Sequence, residues 1–222
     1  AAAAPTPAPR PAAEQPGYGG ILTGYQSSEP TSLDVNQETT IFTLQNQSSV
    51  YNGLLQVDPD RLPDRVITGD LAEKWDASQD ARTWTFTIKS GVTFSDGRPL
   101  TSADVAFTLD RMKTGPGGIK TPFKVLFEAI DRVETPDAQT VRVRLNRPVT
   151  YFAALMANPA VSIMPKHILE KDQRALEQKS LGSGPFMFKA WNRNVSIELA
   201  KNPNYFRKGL PYLDGIRWIT LR

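Results

Sequence analysis

Thr83-Trp84-Thr85-Phe86-Thr87-Ile88-Lys89-Ser90-Gly91-Val92-Thr93-Phe94-Ser95-Asp96-Gly97 is the most regular passage of this 222-residue chain. Trp84, Phe86 and Ile88 alternate with three threonines, the period of two that sends successive side chains to opposite faces of a strand. One face of that strand is expected to be buried. Ser90-Gly91 then turns the chain, Val92 to Phe94 is apolar again, and Ser95-Asp96-Gly97 is a second turn signal, so the stretch reads as a hairpin. Directly after it, Thr101-Ser102-Ala103-Asp104 has the form of a capping box, in which a side-chain oxygen takes an orphan amide and the acid reaches back. Val105, Leu109 and Met112 share one face of the helix this opens, and Gly115-Pro116-Gly117-Gly118 ends it. A patterned strand feeding a capped amphipathic helix sets the fold class as mixed α/β.

Downstream, Phe123, Phe127 and Ile130 stand at helical spacing and predict a second amphipathic helix. Thr135-Pro136-Asp137 turns the chain into a half-exposed strand with Val141, Val143 and Leu145 inward. A short helix over Tyr151 to Met156, a strand over Val161 to Met164 and a polar helix over Ile168 to Lys179 follow. Strands return at Phe186 and Phe188, at Val195, Ile197 and Leu199, and at Ile216 and Trp218. The last runs close to Arg222; a strand there needs a partner and a continuation, so the ending is read as a truncation. Upstream, Ile21 to Tyr25 reads as a short strand and Thr39 to Leu55 as a helix.

Residues 1–18 form an Ala/Pro-rich leader in which prolines at 5, 7, 9, 11 and 16 oppose a continuous helix and favour extended polyproline geometry. It lacks the basic start and apolar stretch of a signal peptide, so any such segment is read as already removed. Twenty-six basic and 23 acidic residues give a formal charge of +3 and form no basic stripe, which does not suggest nucleic acid as a partner. No window holds the roughly 18 apolar residues of a membrane span. The chain has no cysteine, which excludes disulfides, thiolate metal sites and a cysteine nucleophile.

His167 is the only histidine, so a histidine metal cluster is impossible and a serine triad would have to use it. Gly182-Ser183-Gly184-Pro185 resembles the turn around a nucleophilic serine, but Pro185 follows at once and the chain continues as strand, outside the context a nucleophile elbow requires. The carboxylates of Asp58-Pro59-Asp60 and of Asp70 to Glu73 are read as solvated turns and caps, without calcium-loop spacing. No phosphate-binding glycine motif is present. Neither a catalytic residue, a metal site nor a cofactor is expected.

Several collinear segments together resemble the bacterial extracellular solute-binding proteins of family 5, the peptide, dipeptide and nickel receptors of ABC importers. They are Ser32-Leu33-Asp34, Tyr51-Asn52-Gly53-Leu54-Leu55, Asp70-Leu71-Ala72-Glu73-Lys74-Trp75, the Trp84 to Gly97 passage and Leu100 to Val105. Thr135-Pro136-Asp137, Met164-Pro165-Lys166-His167, Gly182 to Phe186, Asn202-Pro203-Asn204-Tyr205-Phe206 and Pro211-Tyr212-Leu213-Asp214 continue the series. The resemblance implies a type II periplasmic-binding-protein-like first lobe, with the second lobe absent. Within it, 19–49 and 179–222 would form the ligand-contacting subdomain and 50–178 an inserted one. It further implies a monomeric periplasmic receptor that takes a peptide or another small solute and meets ABC permease subunits. By segment order Thr39, Thr40 and Ile41 fall where relatives bring backbone to the ligand, pairing strand-like with an extended peptide. Phe123 falls where relatives can place a ligand-facing aromatic; core packing with Phe127 and Ile130 is its alternative. Two rival functions are a hydrolase using Ser183 with His167, and an adaptor docking through an exposed edge strand.

Overall fold

The computed structural model describes residues 17–221, so residues 1–16 of the expected 1–18 leader lie outside the described residues. Two four-stranded sheets organise the rest. The Trp84–Ile88 alternation forms β5 (Thr83–Ile88), which lies between β4 (Ala72–Ala77) and β7 (Thr140–Leu145), with β6 (Ile130–Glu134) on the outer side of β7. All pairings in this sheet are antiparallel. Trp84 stands opposite Val143 and Phe86 opposite Val141, so the alternating residues of β5 and β7 make one continuous apolar face. The capped helix α2 (Ser102–Thr114) buries Val105, Leu109 and Met112 and adds them to the core on that face. Its capping box is present: the Asp104 carboxylate accepts from the Thr101 amide at 2.9 Å and from the Thr101 hydroxyl at 3.1 Å. Gly115, at φ 65°, supplies the left-handed residue that ends the helix.

The second sheet joins the two ends of the described chain. β1 (Ile21–Gln26) pairs in parallel with β10 (Gly215–Thr220), which pairs antiparallel with β9 (Ser196–Lys201), and β8 (Phe186–Asn192) closes the order β1-β10-β9-β8. The C-terminal strand, expected to need a partner, has one on each side, and the sheet edges are β1 and β8. β1 fills the place because a parallel neighbour can come from the far end of a chain by a long crossover, which no local pattern reveals. A small hairpin of β2 (Leu55–Val57) and β3 (Ile67–Gly69) leads into β4. Two apolar groups result. The larger spans Leu54 to Ile163 on the β5 sheet; the smaller gathers Leu33, Val50, Tyr51, Leu199 and Ile216 on the β10 sheet.

Five expected elements are corrected. Val92–Phe94 is no strand paired to β5; it folds on the next residues, with Phe94 N donating to Arg98 O and Leu100 N to Val92 O around the Ser95-Asp96-Gly97 turn. The helix expected over 39–55 is α1 (Ile41–Gln47) only, because Gly184 and Phe186 amides take the Val50 and Ser49 carbonyls and Asp70 and Ala72 amides take that of Leu54. The helix through Phe123, Phe127 and Ile130 is the four-residue α3 (Lys124–Phe127), since Ile130 opposite Leu145 starts β6. After α4 (Phe152–Met156), Pro159–Val161 is a 3-10 turn and the following residues reach Asn52 O and Thr108 Oγ1 singly rather than as a strand. The polar helix expected over 168–179 stops as α5 (Lys166–Leu169), beyond which Gln173 and Glu177 carbonyls are taken by Arg111 and Leu33.

Candidate functional site

The segment before α1 is a turn made by its own side chains. Ser32 Oγ accepts from the Asp34 amide at 3.1 Å, Asp34 Oδ1 from the Asn36 amide at 3.1 Å, and Thr43 Oγ1 donates to Ser32 O at 2.9 Å. Leu33 to Asn36 is buried, whereas Thr39, Thr40 and Ile41 emerge into solvent, Ile41 with 62% of its surface exposed. An exposed β-branched tripeptide thus sits on a buried pedestal. The expected strand-like pairing is narrowed by one observation: the Thr40 carbonyl already accepts from the Thr43 and Leu44 amides, each at 3.2 Å, so it is committed to α1.

Phe123 is half-buried and packs against the larger apolar group, the contact that its core-packing alternative describes. Its loop is nevertheless tied to the pedestal, because the Lys120 amide donates to Gln37 Oε1 at 3.2 Å. The pedestal itself rests on Arg111 of α2, paired with Asp34 at 2.5 Å with both side chains fully buried.

A cavity of about 480 Å³ opens at the other end of α1, walled by Tyr51, Leu55, Pro159, Phe186, Tyr205 and Tyr212. Asp70 and Arg207 line it and pair at 2.6 Å. Asp70 also accepts from Asn52 Nδ2 at 2.9 and 3.0 Å and from the Gly53 amide at 3.2 Å. The reading of Asp70 as a solvated turn residue is therefore overturned: it is 4% exposed. Its partner lies 137 positions away, which is why the local sequence gave no sign of the pair. Asp58, by contrast, accepts from the Asp60 amide in an exposed turn, as expected.

Burial lifts the Asp70 carboxyl above its ordinary value of 3.8, against the pull of Asn52, Arg207 and Gly53. A carboxyl that holds its proton more tightly folded than unfolded contributes less stability as it ionises. The contribution of Asp70 to stability should fall as pH rises from 3.8 through the raised native value and then level off. Asp70→Asn lacks that dependence, so the stability difference, parent minus variant, should shrink across the window. Urea midpoints taken in half-unit pH steps check this; a difference that grows with pH contradicts it.

The residues of the hydrolase alternative are engaged elsewhere. Ser183 is buried and donates to Asn52 Oδ1 at 3.1 Å, while His167 Nε2 stands 2.8 Å from Asp96 Oδ2. A Cβ at Gly182 would lie 2.1 Å from the Val50 carbonyl oxygen, so the glycine–serine turn is explained by close backbone crossing. Among the described residues, no group of three or more His, Cys, Asp or Glu side chains could hold a metal, and no helix is long and apolar enough to cross a membrane.

Comparison with known proteins decides the family. The model of the bacterial extracellular solute-binding proteins, family 5, matches residues 66–221. The chain belongs to that family. Among family 5 relatives, the glutathione-binding protein GsiB of Salmonella typhi is 31% identical over 188 residues, covering 85% of this chain and 36% of GsiB. The chain thus spans about a third of the length of the curated relatives it matches. The structure of the binding protein AgaA from A. tumefaciens, in complex with agropinic acid, superposes with a TM-score of 0.83 at 30% identity, over 91% of this chain and 40% of AgaA. DppA of Helicobacter pylori, in complex with the peptide STSA, gives 0.82 at 26% identity, over 92% and 43%. The mixed α/β fold is that of a family 5 lobe, and the family is one of binding proteins.

Proposed function

We propose that this chain is the first lobe of a periplasmic solute receptor for an ABC importer, which binds a peptide or similarly small solute and hands it to the permease without bond chemistry. The observation that carries the reading is the exposed Thr39–Ile41 ledge on its buried pedestal, within a chain of family 5. The ledge meets the solute, with the Phe123 loop beside it. Two of the relatives named above carry peptide ligands in their names or titles, which favours a peptide here. The division into 19–49 with 179–222 around an insert at 50–178 is supported by the larger apolar group, whose buried members all lie between Leu54 and Ile163, while Val50, Tyr51, Met164, Leu169 and Leu176 pack with the smaller group and set the borders of the insert further in. The receptor works as a monomer, with nucleic acid playing no part.

Closure by a second lobe is what excludes water and completes the contacts in this kind of site. The test therefore uses the chain together with whatever its reading frame encodes beyond residue 222. Calorimetric titration with glutathione, dipeptides and tetrapeptides should give saturable binding by at least one. Absence of binding by all of them, or turnover of any, contradicts the proposal.

A further inference from the structure

One guanidinium joins the segments that surround the ledge. Arg111, in the last turn of α2, places Nη2 2.5 Å from Asp34 Oδ2, and Nη1 3.3 Å from both Asp34 Oδ1 and Asn36 Oδ1. Its Nε donates to Gln173 Oε1 at 3.0 Å and Nη2 to Gln173 O at 2.9 Å. The anchored turn then reaches outward. Asn36 Nδ2 donates to the Ala160 and Ser162 carbonyls, Gln37 Nε2 to Asp34 Oδ2 and Glu177 Oε1, and Gln37 Oε1 holds the Lys120 amide. The glycine loop that ends α2 lies on the same hub: a Cβ at Gly117 would stand 3.4 Å from Gln173 Cγ.

Fully buried ion pairs add little net stability over apolar substitutes, because desolvation offsets the attraction. What a guanidinium supplies beyond charge is a rigid planar fork that fixes several acceptors relative to one another. Here those acceptors belong to the pedestal of the ledge and to the 173–177 segment. The stretch from the glycine loop toward Phe123 is tied to both: Gly118 O accepts from Arg174 Nη2 at 3.4 Å, and the Lys120 amide donates to Gln37 of the pedestal. We propose that Arg111 is a positioning residue for the solute: it fixes the spacing between the Thr39–Ile41 ledge and the Phe123 loop, and so governs which solutes the site accepts. The inference rests on the reading of the ledge as solute-facing.

Arg111→Lys keeps a cation beside Asp34 but cannot span Asn36 and Gln173 together. Gln37→Met leaves the ion pair and removes the bond to Lys120; it carries the test should the lysine variant fail to fold. The first readout needs no ligand. Hydrogen exchange should speed at least tenfold at the Lys120 amide in either variant, while the β5 and β7 amides keep their protection. The second uses the chain with its encoded continuation, titrated with glutathione and with tetra-alanine. The two dissociation constants should change unequally, by tenfold or more for one of them, whereas a merely structural role would leave their ratio unmoved. Unchanged exchange at Lys120 overturns the proposal whatever binds. Faster exchange with both constants within twofold of the parent overturns the positioning role while sparing the ledge. Failure of the parent to bind either probe removes the ledge reading, and the proposal with it.

Discussion

Arg111→Met is expected to destabilise the chain by about 3–5 kcal/mol, the cost of leaving a buried carboxylate without its counter-charge. The Arg111 and Asp34 side chains are both fully buried. Removing the guanidinium also strands Asn36 Oδ1 and the Gln173 oxygens, each an acceptor in the same hub. The companion Asp34→Leu, Arg111→Met double variant should recover part of the loss, because it removes both buried charges, while the Asn36 amide and the Gln173 oxygens stay without these partners. Denaturant midpoints at constant m-value check both statements. A single variant within about 1 kcal/mol of the parent would mean that water or a relaxed turn satisfies Asp34.

Phe86→Ala should cost about 3–5 kcal/mol, the range for truncating a fully buried phenylalanine. Phe86 has no exposed surface, stands opposite Val141 and lies with its ring centroid 6.5 Å from that of Phe152. Its site is bounded by a sheet on one side and α4 on the other, so collapse around the lost ring is limited and a cavity remains. Phe86→Leu refills part of that volume and should lose distinctly less. Equal losses for the two variants, measured by the same unfolding series, would contradict the packing account.

Local periodicity and local caps are what made the β5 sheet legible. The threonine alternation of β5, the capping box of α2 and the Gly115 stop each arise from neighbours within a few residues, and each appears where the sequence placed it. Errors fall where a distant segment takes the backbone. The 39–55 helix ended early because amides from 184 and 186 bind the carbonyls of Val50 and Ser49, and Ile130 became strand because Leu145 stands opposite it. Asp70 with Arg207, and β1 with β10, lie far apart in sequence and leave no periodic trace. At the site, Thr39 to Ile41 lie exposed, which leaves them free for the solute contact proposed above. The hub beneath it left no local sign, since the partners of Arg111, Asp34 and Gln173, lie 77 and 62 positions away in the sequence.

The most direct measurement is hydrogen exchange on the chain with its encoded continuation, with and without a saturating peptide identified by titration. The ledge account predicts ligand-dependent slowing that is centred on the amides of 39 to 43 and extends to the loop before Phe123, with the β5 and β7 amides unaffected. Slowing confined to the cavity walls around Tyr205 and Tyr212, with 39 to 43 unchanged, would contradict it.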